Sequence, residues 1–434
     1  MKFGLGWLPH ANGQKKFIYD TDKVLNGHIL LFGSTGSGKT HTMKGLAKSL
    51  AYAGQGELRC IVFDVHGDIE FDDEWVSTCV IREQSKFGLQ PLEVRQGTVF
   101  GGVHKAIKRF VYAINRSSTK LGVAQEALLK SLLYDLYWRN GFYPDDEKTW
   151  GLDYDPYRNR KWPKKFPTFK DLIFFAKSRQ KQLFTGSSEK TVRAMENYAK
   201  KSVSLMKKKI DSKYTEEDVE AAKMSVLEAV EEFVNFPQDE RLLDEYIKVQ
   251  SKDTISSLIN RLESIGTTGI FKENPAEFDP SKPIHRYDLR SLAVDEQKIF
   301  IELALSDIFL SGMARGTNSS LHTSIFIDEV KNYVQADDKQ SMIVRMFNEA
   351  RKFGIGMVLG SQNINHFPED VITNAGVKLI LGVDSTKSKA FSQKIGVAEE
   401  VLKSIEPQKS FLIEVKNKGE KWEFCKVLTS APVA

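Results

Sequence analysis

The eight residues Gly33-Ser34-Thr35-Gly36-Ser37-Gly38-Lys39-Thr40 constrain this chain more than any other stretch. They fit the phosphate-binding loop pattern G-x-x-x-x-G-K-[ST] with no mismatch. His28-Ile29-Leu30-Leu31-Phe32 precedes them as a short apolar run that reads as a buried strand. His41 to Tyr52 follows, with Met43, Leu46, Ala47 and Leu50 at helical spacing. A strand, a glycine loop and a helix start suit phosphate binding. Loop N–H groups point at the anion, the helix N-terminus favours negative charge, and glycines let the backbone approach. In such a loop Lys39 reaches the β- and γ-phosphates, and the Thr40 hydroxyl is placed to ligate Mg2+. The ligand implied is ATP or GTP.

With 434 residues the chain has room for two or three domains. Its hydrophobic share of 41% supports a sizeable core, and 27% charged residues is ordinary for a soluble globular protein. The start of the chain turns polar by Asn12-Gly13-Gln14-Lys15-Lys16, so no signal peptide is expected. The longest apolar candidate, Ile299 to Ala314, contains Glu302 and Asp307, so no transmembrane segment is expected either. Cys60, Cys79 and Cys425 lie far apart without a C-x-x-C pair, which suits core packing in a reducing cytosol.

The net charge of +5 is unevenly spread. Pro156 to Lys213 holds 17 Lys/Arg against 4 Asp/Glu, whereas Tyr214 to Gln250 holds 11 Asp/Glu against 3 Lys/Arg. Two readings fit: a basic patch that meets a polyanion, or a basic helix beside an acidic one with solvated faces.

Strand-like runs cluster towards both ends. They are Ile29–Phe32 and Cys60–Val65, then His285–Leu289, Ser324–Asp328, Met357–Gly360, Val377–Val383, Phe411–Val415 and Trp422–Val427. Helical patterns alternate with them over Val103–Ile114, Glu296–Met313 and Lys339–Phe353, with Gly354 as the stop of the last. This alternation predicts an α/β fold with a mostly parallel sheet. Between about 116 and 265 the pattern is helical alone. Ala124, Leu128, Leu132 and Leu136 share one face, Thr168/Asp171 and Thr215/Asp218 form capping boxes, and a further pattern runs from Arg241 to Ile265. Tyr154 to Pro167 reads as a loop. The expected organisation is 1–115 and 266–434 as two parts of one core, with 116–265 as an inserted all-helical domain.

A phosphate loop needs carboxylates for the metal and for the attacking water. Two apolar runs end in Asp: Ile61-Val62-Phe63-Asp64, and Ile325-Phe326-Ile327-Asp328-Glu329. The second is preferred, with Asp328 facing the metal and Glu329 as base. Gln362, at a later strand tip, is a candidate to contact the γ-phosphate or orient water. Arg351, at a helix end, is a candidate to stabilise developing charge in its own subunit or across an interface. His104, His285, His322 and His366 are scattered and read as structural.

Together these segments resemble the HerA/FtsK branch of P-loop ATPases, which includes conjugative coupling proteins, type IV secretion ATPases and some viral packaging motors. Asn26-Gly27-His28 through Thr40 is similar to the branch's loop. Phe63-Asp64-Val65-His66-Gly67-Asp68 resembles the HerA D-x-H-G-[DE] element, and Ser324 to Val330 its Walker B strand. Arg351-Lys352-Phe353-Gly354, Gly360-Ser361-Gln362 and Phe367 to Gly376 continue the likeness, which covers about 1–70 and 284–430.

The resemblance implies a RecA-like core that forms a homo-hexameric ring, with ATP and Mg2+ between subunits. It implies phosphate binding by Gly33 to Thr40, metal support by Thr40 and Asp328, catalysis by Glu329, Lys39 and Gln362, and a trans-acting Arg351. Asp64 and His66 would line the site. Two departures from HerA stand out. About 28 residues precede the first core strand, too few for HerA's N-terminal β-barrel, and 289 positions separate Lys39 from Asp328. Three functions follow as expectations: a DNA-translocating ATPase, a secretion or conjugation ATPase driving a protein substrate, or an NTP-gated ring scaffold for a partner nuclease.

Overall fold

The computed structural model describes residues 1–9, 15–97, 101–117, 119–157, 163–185, 189–211, 214–235, 252–334 and 338–430. The polar Asn12–Gln14, residues 158–162 of the expected loop, the acidic stretch 236–250 and the first half of the 241–265 pattern lie outside the described residues. The chain divides into two compact units. One comprises Met1–Pro91, Arg95–Lys120 and Thr268–Ala434; the other comprises Leu92–Val94 and Leu121–Thr267.

The first unit is built on an eleven-stranded sheet. In chain order its strands are β1 (Lys2–Leu8), β2 (Lys15–Asp20), β3 (Ile29–Phe32), β4 (Arg59–Asp64) and β5 (Val76–Val80). A two-residue pair, β6 (Phe87–Gly88) and β7 (Asn274–Pro275), stands apart. Then come β8 (Ile284–Asp288), β9 (Asn318–Ile327), β10 (Phe353–Ser361), β11 (Val377–Ile380), β12 (Ser410–Val415) and β13 (Cys425–Leu428). The order across the sheet is β2-β1-β13-β12-β11-β3-β10-β9-β4-β8-β5. From β11 to β5 every pairing is parallel; β12, β13, β1 and β2 add an antiparallel wing.

The parallel strands are covered on both faces, so they read as continuous apolar runs. β3, β10 and β11 are buried at every position. Alternate residues separate the faces. Ile29, Leu31, Val62, Phe326 and Val358 pack with Met43, Leu46 and Leu50 of helix Lys39–Ala53. Phe63 turns instead to Phe300 of helix Val294–Arg315, and Phe32 to Phe367 and Phe391.

The sheet is larger than the sequence pattern predicts. β1, β2 and β5 escape a reading based on apolar runs because they lie at or near the edges and are half-exposed. The last helical pattern is also shorter than expected. Helix Met342–Glu349 gives way to a 3-10 turn at Ala350–Lys352, and Gly354 lies inside β10, at a register shift, rather than at a helix stop.

Within the second unit the described residues form helices Val123–Arg139, Phe169–Thr185, Glu189–Ile210, Glu216–Asn235 and Lys252–Gly266, and no strand. Leu128, Leu132 and Leu136 are buried along one face as the spacing predicts, whereas Ala124 is exposed. Both capping boxes form: Asp171 accepts from the Thr168 N–H at 2.8 Å, and Asp218 from the Thr215 N–H at 3.0 Å. No described helix is long and apolar enough to cross a membrane.

Candidate nucleotide site

The C-terminal tips of β3, β10, β9 and β4 lie side by side because these strands are parallel neighbours. In sheets of this kind ligands bind at that edge. β3 delivers the chain into Gly33, whose N–H donates to the Ser361 carbonyl at 3.1 Å; the Ser34 N–H donates to the Gly382 carbonyl at 3.2 Å. Gly38 caps the following helix in the left-handed region, φ 89°, and no side chain caps the helix start. Its N–H groups are therefore left to a ligand.

β9 ends at Ile327, so Asp328 and Glu329 follow at its tip. One strand, β10, separates it from β3, which puts the two tips about 10 Å apart. Lys39 spans that gap. Its Nζ lies 2.6 Å from Glu329 Oε1 and 3.0 Å from Asp328 Oδ1. The Thr40 hydroxyl donates to Asp328 Oδ2 at 3.4 Å. Gln362, one residue past β10, donates from Nε2 to Glu329 Oε1 at 2.9 Å. Gly360 makes room for this arrangement, since a Cβ there would collide with Asp328 Oδ1.

Glu329 is held in the left-handed region, φ 48° and ψ 45°. That conformation costs a non-glycine residue about 1–2 kcal/mol. Burial pushes its carboxyl up, but hydrogen bonds from Lys39 and Gln362, with Lys331 assisting, outweigh burial and hold it down at about 2. Burial likewise opposes the charge on Lys39, and Asp328 and Glu329 overcome it and raise its pKa. Lys39 and Asp328 are both nearly inaccessible, at 8% and 6%. The Thr40 hydroxyl and an Asp328 carboxylate oxygen stand side by side as hard oxygen donors, a pair that suits Mg2+.

Asp64 and His66 do not join this cluster. Asp64 ends β4 and is fully buried, but its oxygens accept from the Gly67 N–H (2.7 Å), the Ile69 N–H (3.2 Å) and Arg286 Nε and Nη2 (2.9 and 2.6 Å). Arg286 comes from neighbouring β8, so the carboxylate fastens the 64–69 loop instead of reaching Lys39. His66 in that loop is exposed.

Arg351 stands at the other end of β10, in the 3-10 turn that precedes the strand, about 30 Å from Gln362. It is exposed in a groove of about 960 Å³ that also involves Asn26, Gly27, Asn348 and Lys352. Among the described residues its guanidinium has neither a hydrogen bond nor an ion pair.

Two residues that sequence reasoning missed stand at the site. Lys331, in the 3-10 turn after Glu329, places Nζ 3.1 Å from Glu329 Oε2. His366, read from sequence as structural, contacts Ser361 Oγ through Nδ1 at 2.7 Å. Burial first, then the charges of Lys331 and Lys387, lower its pKa, while Glu329 acts in the opposite sense. The signal for His366 was its place five residues beyond a strand tip; nothing in the sequence marks Lys331.

The family described as Helicase HerA, central domain, matches residues 3–308, which include the whole phosphate loop and end before Asp328. The chain belongs to this family. No curated protein matches it. Among solved structures, VirB4 of Thermoanaerobacter pseudethanolicus is similar at 14% identity and TM-score 0.62, over 99% of this chain and 96% of that one. The plasmid coupling protein TrwB with the ATP analogue ADPNP is similar at 11% identity and TM-score 0.52, over 96% and 92%. TrwB with ADP and Mg2+ is similar at 14% identity and TM-score 0.50, over 94% and 86%. At these identities the likeness is one of fold: a large, mostly parallel sheet with helices, as in RecA-like P-loop ATPases.

Proposed function

We propose that this HerA-family protein is a ring-forming ATPase that couples ATP hydrolysis to movement of DNA. The observation that carries this reading is the layout of β10. Its C-terminal tip contributes Gln362 to the Lys39–Glu329–Asp328 cluster, whereas its N-terminal end holds Arg351 about 30 Å away, exposed and without a described partner. Arg351 cannot serve the phosphates bound by its own chain. It can serve those of a second copy joined head to tail, and such contacts close into rings; a homo-hexamer is the proposed closure.

In each site the loop N–H groups of Gly33 to Thr40 hold the phosphates. Thr40 and Asp328 would hold Mg2+, which would supply neutralising charge to the phosphates. Lys39 leaves Glu329 for the phosphates, so Glu329 loses one of its clamping cations and is released to accept a proton from the attacking water. Gln362 and Lys331 keep its carboxylate aimed. Arg351 of the neighbouring copy meets the charge that develops on the transferred phosphoryl group. Asp64 acts by holding its loop, and His66 is placed on that loop's surface.

DNA as the track is supported by the family and by the basic helix Glu189–Ile210, which ends in Lys207, Lys208 and Lys209. That helix belongs to the region read as an inserted domain over 116–265. A second reading, a secretion or conjugation ATPase acting on protein, is favoured by the same helix. Met206 and Ile210 are 67% and 84% exposed beside the lysines, as a protein-docking face would be.

Mixing inactive variants tests the shared site. Lys39→Ala and Arg351→Ala each lack hydrolysis alone. Mixed in equal amounts, they regain turnover at about a quarter of the interfaces, because one junction type carries both native residues. No recovery in assembled mixtures would place Arg351 outside the site.

A further inference from the structure

Three described residues other than glycine adopt positive φ: Gln55, Glu329 and Gln408. Gln55 sits between two glycines just after the helix Lys39–Ala53 ends. Glu329 belongs to the nucleotide site. Gln408 remains, in the turn Glu406-Pro407-Gln408-Lys409 before β12, with φ 66°. A glycine would adopt this geometry without strain, so a retained glutamine points to a use for its side chain.

That side chain reaches the phosphate loop. Gln408 Nε2 donates to the Gly36 carbonyl at 2.9 Å, across 372 positions of sequence. The turn itself is anchored from β13: the Thr429 hydroxyl donates to the Gln408 carbonyl at 2.8 Å, and the Thr429 N–H donates to the Lys409 carbonyl at 2.9 Å. The Glu406 N–H donates to Ser410 Oγ at 2.9 Å. A fixed turn therefore presents one amide to the apex of the loop.

The apex needs such support. Gly36 has φ 79°, and the side on which a Cβ would stand is open, with nothing within 4 Å. A glycine peptide in open space can rotate at little cost. The peptide is planar, so its carbonyl and the next N–H point in opposite directions. With the Gly36 carbonyl held outward on Gln408, the Ser37 N–H turns inward, where it donates to the Ser34 carbonyl at 3.1 Å, so the peptide is fixed from both sides.

We propose that Gln408 is a positioning residue for nucleotide binding: its carboxamide holds the Gly36 carbonyl on the outside of the loop and, with the Ser37–Ser34 turn bond, fixes the shape of the loop that receives the phosphates. The inference rests on the nucleotide-binding reading of the loop.

The test uses the full chain and the fluorescent probe N-methylanthraniloyl-ADP with Mg2+, alongside thermal unfolding without nucleotide. The proteins are wild type, Lys39→Ala, Gln408→Ala and Gln408→Gly. The expected result is that wild type binds and Lys39→Ala does not. Both Gln408 variants bind about fivefold more weakly, the worth of one ordinary hydrogen bond. Gln408→Gly also unfolds no lower than wild type, because its backbone strain is relieved. Wild-type affinity in both Gln408 variants overturns the inference and leaves the site reading intact. Weaker binding in Gln408→Gly accompanied by a lower Tm overturns it in favour of a general structural role. Wild type that binds no better than Lys39→Ala overturns the nucleotide reading, and the inference falls with it.

Discussion

The two compact units bury charge in different ways. In the α/β unit, Lys39, Asp328 and Glu329 satisfy one another across the tips of separate strands, with bonds of 2.6 and 3.0 Å. In the helical unit, buried Lys164 donates to three backbone carbonyls, those of Thr149, Gly151 and Tyr154, at 2.6, 2.9 and 2.8 Å, and its Nζ lies 4.2 Å from the centre of the Phe142 ring. The first set is exchangeable. In the proposed reaction phosphates take Lys39 and a metal takes Asp328, because side chains on different strands can re-pair. The second set is a staple: those carbonyls belong to one local loop, and no ligand chemistry replaces their donor. Burial of a charge marks a site only when its partners can be traded.

The largest effect is expected at the exchangeable set. Glu329→Gln keeps the shape and removes the base, so ATP hydrolysis falls by about 10²–10⁴ while nucleotide affinity survives. Single-turnover hydrolysis beside equilibrium binding separates the two effects; equal loss of both would make Glu329 a structural residue like Lys164. The staple has the converse signature. Lys164→Met strands three carbonyls and costs about 2–4 kcal/mol of stability, read by urea unfolding, with nucleotide affinity unchanged.

A third test uses Glu302 in helix Val294–Arg315. It accepts from the Met342 N–H at 3.0 Å and lies 3.5 Å from Arg116, which in turn bonds Asp338 and the Tyr333 carbonyl. Burial pushes its carboxyl up to about 7, and the opposing effects of Arg116 and the Met342 N–H offset this only in part. The fold therefore binds a proton here more tightly than the unfolded chain does. That contribution is fully present below pH 4.5 and is lost as pH rises to about 7. It amounts to about 1–3 kcal/mol. Glu302→Gln should flatten stability over that window; an unchanged pH profile would remove Glu302 as its source. The smallest effect is at a helix start: Thr168→Ala removes a capping box in the helical unit and costs about 1 kcal/mol, with no change in nucleotide binding.

The same contrast explains what the sequence disclosed. The phosphate loop, its strand and its helix are contiguous, so their chemistry shows as local spacing. Asp328-Glu329 and Gln362 are legible because each ends a buried parallel strand, whose apolar run marks its own tip. Lys331, His366 and Gln408 matter through what lies opposite them, and no local pattern encodes that. Asp64 ends an apolar run as Asp328 does, but its carboxylate is taken by Arg286, 222 residues away, a pairing that no local pattern encodes. β1, β2 and β5 show no continuous apolar run because strands at or beside the sheet's edges are half-solvated. In the helical unit the 3.6-residue period and the capping boxes point to the other described helices but not to Glu189–Ile210, and no motif there states a chemistry.

Under the proposed function, hydrolysis at the Lys39–Glu329 cluster is coupled to DNA. The most direct measurement is ATP turnover by the purified protein without DNA, with single-stranded DNA and with duplex DNA, beside Glu329→Gln. The expected result is strong stimulation by one form of DNA, absent in the variant. Turnover that depends on Glu329 but is indifferent to both DNAs would contradict it.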